Sequence, residues 1–256
     1  MNEFFAGDYH GAPFELFGTA HLIGLTIIVL FNLSFLLLKG KANTRLDKIF
    51  RYGMAAFLLI DEGLWHYWNA ATGQWSLQTT LPLHICSIFV FLSAYMLVTK
   101  NEKIYEFAYL LGIATAAQAL LTPDAGIYGF PHFRFFQVLL SHGLIVSSAI
   151  YLTIVHKFRP TWRSIPRVWA GIGIYAVIIF FLNIALGSNY LFINRKPATA
   201  SLMDIMPPWP WYLLYLVVIA TILFVLLYLP FAIKDRRSKA VENKIAEGRL
   251  ADIAEN

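Results

Sequence analysis

An all-α, polytopic membrane protein with seven transmembrane helices is the fold class this sequence predicts, and three observations predict it. Hydrophobic residues make up 58% of the 256 residues and charged ones 14%, with a mean hydropathy of +0.60, far too apolar for a soluble domain of this size. Seven stretches have roughly the 18 or more apolar-rich residues that cross a ~30 Å hydrocarbon core as helix: about 18–38, 49–71, 80–99, 104–122, 133–155, 166–186 and 208–230. The basic residues alternate between the connections: of the 20 Lys and Arg, all but Arg134, Arg195 and Lys196 fall on one side. The positive-inside rule then puts the N-terminus outside and the C-terminus in the cytoplasm, which an odd number of spans requires.

Each span has its own signals. The first carries His21 near its outer end and Asn32 and Ser34 further in. In the second, counted at ~1.5 Å per residue, Asp61 lies ~15 Å and His66 ~7 Å below the outer end, with Glu62 and Trp65 between them. Pro82 opens the third, which places Cys86 within about two turns of its start and past the first turn. The fourth is diluted by Glu106, Thr115, Gln118 and Thr122. Gln137, Ser141 and His142 occupy the outer half of the fifth, and Pro166 opens the sixth, which ends near Asn183. Pro208 opens the seventh and Pro230 closes it, where a missing N–H costs least. Residues 1–233 thus form one transmembrane domain, and 234–256 a polar cytoplasmic tail expected to be a short helix or disordered. The long external connection 187–207, with Asn189, Asn194, Arg195 and Lys196, is functional or disordered by its length. Its Trp-Tyr run also suits an interfacial aromatic belt.

The net charge of +5 follows from orientation: short juxtamembrane basic clusters would face anionic lipid, and nothing else supports nucleic-acid binding. One cysteine excludes an intramolecular disulfide and a CxxC redox or metal motif. Glu62, His66 and His142 could in principle converge on a metal, but no HxxxH or HExxH spacing is present, so no metal or cofactor is expected. The absence of lysine from 208–230 excludes a rhodopsin-type Schiff base.

Polar residues gather in the outer half of the spans, which suits a cavity opening outward better than a path through the membrane. Cys86 and His142 stand out, because thiol and imidazole together perform acyl transfer. Each also has a plain reading, Cys86 as a small buried apolar side chain and His142 as an interhelical hydrogen-bonding group. His84, two positions from Cys86, falls on nearly the opposite helix face and reads as a packing residue. Glu62 and His66, four apart, can pair with each other. Asp61 and Glu62 are adjacent, so only one is expected to enter the cavity.

Six runs carry a resemblance: Leu81-Pro82-Leu83-His84-Ile85-Cys86, Thr122-Pro123-Asp124-Ala125-Gly126, Phe130-Pro131-His132-Phe133-Arg134-Phe135-Phe136, Ser141-His142-Gly143, Gly187-Ser188-Asn189-Tyr190-Leu191-Phe192 and Pro208-Trp209-Pro210-Trp211-Tyr212. Over about residues 10–230 the chain resembles the YwaF-like bacterial integral membrane proteins. These are grouped with a eukaryotic multispan lipid acyltransferase, transmembrane protein one-six-four. The resemblance implies a membrane enzyme that moves a fatty acyl chain between phospholipids, with Cys86 as nucleophile and His142 as base. It carries over the chemistry, not the lipid. On that expectation Asp61 or Glu62 orients the imidazole, and Arg134, Arg195 and Lys196 meet a lipid phosphate or snorkel to the interface. Asn183, Asn189 and His66 complete the candidate binding or orienting residues, membrane phospholipids are the expected partners, and the cell membrane the expected location. The competing reading is an outward-facing lipid or small-molecule carrier without covalent chemistry.

Overall fold

A computed structural model describes residues 3–197 and 202–254, with backbone alone for Leu202 and 239–254. Among the described residues all regular structure is helical: α1 (Thr19–Ser34, continued by a 3₁₀ turn Phe35–Leu38), α2 (Arg45–Ala71), α3 (Ile85–Thr99), α4 (Glu102–Phe107), α5 (Ile113–Leu121), α6 (Phe133–Val155), α7 (Ser164–Leu186) and α8 (Trp211–Ala254). Five stretches are long and apolar enough to cross a membrane: 19–38, 102–121, 133–155, 164–186 and 211–238. Of the others, α2 has 27 residues but carries Asp47, Arg51, Asp61 and Glu62, and α3 has 15 residues.

Local chemistry sets the helix ends. The Thr44 hydroxyl caps α2 by accepting the Asp47 N–H at 3.2 Å, and the Asn101 side chain accepts the Lys103 and Ile104 N–H groups at the start of α4. His132 Nδ1 accepts the Arg134 N–H at 3.1 Å to open α6. Gly187, at φ +66°, closes α7 in the left-handed conformation that favours glycine.

Three expectations are corrected. The third helix starts at Ile85, not near residue 80, because Leu81–Leu83 lie in turns pinned from outside: Leu81 N–H donates to the Tyr190 hydroxyl at 2.9 Å, and the Tyr175 hydroxyl donates to the Leu83 carbonyl at 2.8 Å. Cys86 is therefore the second residue of α3, inside its first turn. The fourth span is helical from Glu102 to Leu121 but contains a wide π turn at Ala108–Gly112, wholly buried, where Gly112 faces Phe89. Pro230 does not end the last helix, and 234–254 is neither short nor irregular: α8 runs through both. The proline removes one hydrogen bond from a helix of 44 residues, a loss that long apolar helices absorb.

Registers follow from interhelical bonds. Gln137 Nε2 donates to Asp61 Oδ2 at 3.0 Å and, fourteen residues further along α6, the Tyr151 hydroxyl donates to Asp47 Oδ1 at 2.9 Å, fourteen residues back on α2. α2 and α6 are thus antiparallel in step over ~21 Å. α1 runs parallel to α6, with Asn32 Nδ2 donating to the Ser147 hydroxyl at 2.9 Å. Leu58, Phe89, Val90, Leu110, Ile145 and Leu152, on α2, α3, α6 and the π turn, fill the centre.

At the end of α2 far from Asp61, Asp47 is wholly enclosed. It accepts from His156 Nε2 at 2.7 Å, Tyr151, the Asn43 N–H at 3.1 Å and Arg51 Nε at 3.1 Å. At the opposite end Asn183 organises the turn after α7. Its amide donates to the Tyr190 carbonyl and Asn194 Oδ1, and its oxygen accepts from the Ser188 hydroxyl and the Tyr190 N–H, all within 2.7–2.9 Å. Asn183→Ala strands these partners and is expected to cost about 1–3 kcal/mol, seen as faster amide hydrogen exchange in 187–194. Exchange at the wild-type rate would show that the turn is held by other means.

Candidate functional site

Cys86 is half-buried, and as the second residue of α3 it lies among the unpaired N–H groups of a helix N-terminus, where a developing thiolate is favoured. The Thr115 side chain of α5 lies beside the thiol. Thr115 was visible in the sequence only as a dilution of the fourth span. Its hydroxyl bonds the Leu111 carbonyl one turn back at 2.8 Å, which fixes its rotamer.

His142 is half-buried on α6, a helix packed against α3. Its Nδ1 bonds the Val138 carbonyl of its own helix at 2.7 Å. A carbonyl only accepts, so Nδ1 carries the proton and Nε2 is the basic nitrogen. The orienting partner is a backbone carbonyl, not Asp61 or Glu62 as expected from Cys-His systems. Among the described residues no hydrogen bond joins Cys86 to His142, and none engages His142 Nε2.

Asp61 and Glu62 are both buried, at 4% and 5% exposure. α2 is packed by α3 on one flank and α6 on another, and adjacent residues ~100° apart can each face a neighbour. Asp61 meets Gln137, whose carbonyl oxygen accepts from the Arg134 guanidinium. That guanidinium lies over the Trp65 ring, 3.8 Å from its centroid, so Arg134 is turned onto the protein instead of snorkelling. His66 Nε2 stands 3.5 Å from Glu62 Oε1, the pairing their spacing suggested. The Trp75 indole N–H donates to His66 Nδ1 at 3.1 Å, and this leaves Nε2–H as the tautomer facing Glu62. Glu62 Oε1 makes no hydrogen bond of good geometry. Glu62→Gln should therefore be neutral or stabilising, whereas Gln137→Leu, which strands both Asp61 and Arg134, should cost about 1–3 kcal/mol in a thermal melt of the detergent-solubilised protein. Equal effects would mean the two acids share one environment.

Asn183 and Asn189 hold the turn after α7, Asn189 through both the carbonyl and the N–H of Arg195. His84 packs against the rings of Tyr190 and Phe192. His21 is buried and ties α1 to the end of α5, its Nε2 donating to the Leu120 carbonyl at 2.8 Å. Lys196 donates to the Met206 carbonyl, and Arg195 is exposed. Sequence reading missed the cover over this end of the bundle. The Phe5, Ala6 and Gly7 carbonyls accept from Trp68 Nε1, His132 Nε2 and the Tyr128 hydroxyl at 3.1, 2.9 and 2.8 Å. No regular pattern in residues 3–9 announces these bonds.

No group of three or more His, Cys, Asp or Glu side chains able to hold a metal occurs among the described residues.

The chain is thus an apolar helical one with a half-buried thiol at a helix N-terminus and an imidazole on a helix packed against it. No solved structure matches it. It is similar to an uncharacterized protein of Treponema pallidum (strain Nichols), 25% identical over 225 residues, covering 85% of this chain and 90% of the relative. The sequence profile of the TMEM164 family matches residues 16–228, which include both Cys86 and His142, so this membrane protein belongs to the TMEM164 family.

Proposed function

We propose that this protein is a multi-pass membrane enzyme that moves a fatty acyl chain between phospholipids, with Cys86 as nucleophile and His142 as base. The observation that carries this reading is the tautomer of His142: its Nδ1–H is spent on Val138, leaving Nε2 bare on the helix packed against the one that opens at Cys86. His142 Nε2 takes the Sγ proton, and the thiolate attacks the ester carbonyl carbon of a phospholipid. The C–O bond breaks, the imidazolium returns the proton to the departing lyso-lipid oxygen, and a thioester remains on Cys86. In the second half His142 takes the proton of an acceptor hydroxyl. That oxygen attacks the thioester, the C–S bond breaks and the thiolate is reprotonated. The positive end of α3 favours the thiolate. Catalytic hydrogen bonds are commonly open before substrate binds, consistent with the unjoined pair. The exposed Arg195 is the outer cation free to meet a phosphate.

The same proposal has seven crossings with the N-terminus outside. In its support, α2 keeps step with the apolar α6 over ~21 Å, so the two cross together despite Asp47, Arg51, Asp61 and Glu62, which are all buried, while the exposed Arg45 and Lys48 stand in the first turn of α2.

The test incubates the purified protein in vesicles with a phospholipid and a lyso-phospholipid acceptor, then measures the intact mass. An acyl adduct on the Cys86 peptide, discharged by the acceptor, is the expected result. Lipid binding without any adduct would instead favour a carrier.

A further inference from the structure

We infer that the crevice between α3, the α4–α5 segment and α7 is the berth of the acyl chain, and that Leu92, Phe107 and Gly171 set the chain length it accepts; this rests on the acyltransferase reading above. The crevice has a volume of about 200 Å³ and is lined by Ile85, Ile88, Phe89 and Leu92 of α3, Phe107 and Leu111 of the α4–α5 segment, and Gly171, Ile172 and Tyr175 of α7. Its one polar lining group, the Tyr175 hydroxyl, is spent on the Leu83 carbonyl, so only hydrocarbon and ring surface face the space. Such a space recognises an alkyl chain and nothing that needs a hydrogen bond.

Three elements give it a mouth and a floor. On α3, Ile85 and Phe89 bracket Cys86, and the lining continues to Leu92, ~10 Å further along the axis. On α5, Thr115 lies beside the thiol, and Leu111, one turn back, lines the crevice. On α7, Tyr175 is tied to the turn that precedes Cys86, and Gly171 lies one turn further away. The mouth is therefore at the thiol end. At the far end the edge of the Phe107 ring abuts Gly171, where a Cβ would meet it at 2.4 Å. The close approach that glycine permits closes the floor. A chain whose ester carbonyl sits at Cys86 thus threads between α3 and α7 with its methyl end toward Leu92, Phe107 and Gly171.

The experiment uses the full chain in vesicles of phosphatidylcholine bearing a diazirine at the methyl end of one acyl chain, with chains of increasing length, and maps the cross-linked peptides. Cross-links should concentrate on the peptides holding Leu92, Phe107 and Gly171 for one favoured length. Leu92→Trp should shift the favoured length shorter and Leu92→Ala longer, each by at least a threefold change in the ratio of long to short chains captured. Cys86→Ser should keep the cross-links. If that variant cross-links like wild type and no acyl adduct ever forms on the unmodified protein, the catalytic reading fails and the berth stands. Cross-links spread over the lipid-facing surfaces of α1, α7 and α8, or a length preference that neither Leu92 variant moves, would overturn the berth whatever the chemistry proves to be.

Discussion

Replacing Cys86 with serine is expected to lower acyl transfer by about 10⁴-fold and to remove the acyl adduct, because a serine hydroxyl in the same place is a far weaker nucleophile. His142→Gln should cost less, about 10²–10⁴-fold, since it removes general-base assistance but leaves the thiol. The two losses differ in kind. Raising the pH generates thiolate without help, so the His142→Gln enzyme should recover part of its rate in alkaline solution, while Cys86→Ser should not. The double variant should be little worse than Cys86→Ser, as for groups that act as a unit. Initial rates across a pH series, with the Cys86 adduct followed by mass, decide the matter. A His142→Gln variant with no alkaline recovery would make His142 a packing residue.

The second large effect lies at the other end of the bundle. Asp47→Ala should destabilise the protein by about 3–5 kcal/mol, because it leaves Arg51, at 3% exposure, without its counter-charge and the largely buried His156 without its hydrogen-bond partner. The Arg51 guanidinium is also bonded to the Leu97 carbonyl of α3, so the change loosens α2 from α3 and from α6 together. Asp47→Leu combined with Arg51→Met should recover most of the loss, since an apolar pair removes the stranded charge. Detergent-titration unfolding of the single and double variants measures this directly. A cost under about 1 kcal/mol for Asp47→Ala would show that water reaches the network. Acyl transfer should respond only as far as the folded fraction falls.

Asp47, Tyr151 and His156 carry no signal in the chain, being ordinary residues near helix ends whose meaning comes from convergence. Thr115 is a similar case, a flaw in the hydropathy of its span until the fold sets it beside Cys86. By contrast, the i,i+4 spacing of Glu62 and His66 foretold their pairing, because a helix fixes that separation whatever surrounds it. Asp61 and Glu62 could not both be placed inward from helical geometry alone, since that depends on how many neighbours flank α2.

Helical class and membrane character came from the chain by itself: backbone polar groups in hydrocarbon must be satisfied within the segment, so long apolar runs leave helix as the answer. Cys86 and His142 could likewise be singled out, since chemistry travels with residue type. Packing alone decided where α3 begins and that α8 continues through Pro230. It also decided that Val138, not a carboxylate, orients His142, and that the hydrocarbon lining runs on from the thiol. These outcomes turn on interhelical contacts of a few ångströms between residues far apart in sequence, and no local pattern encodes them.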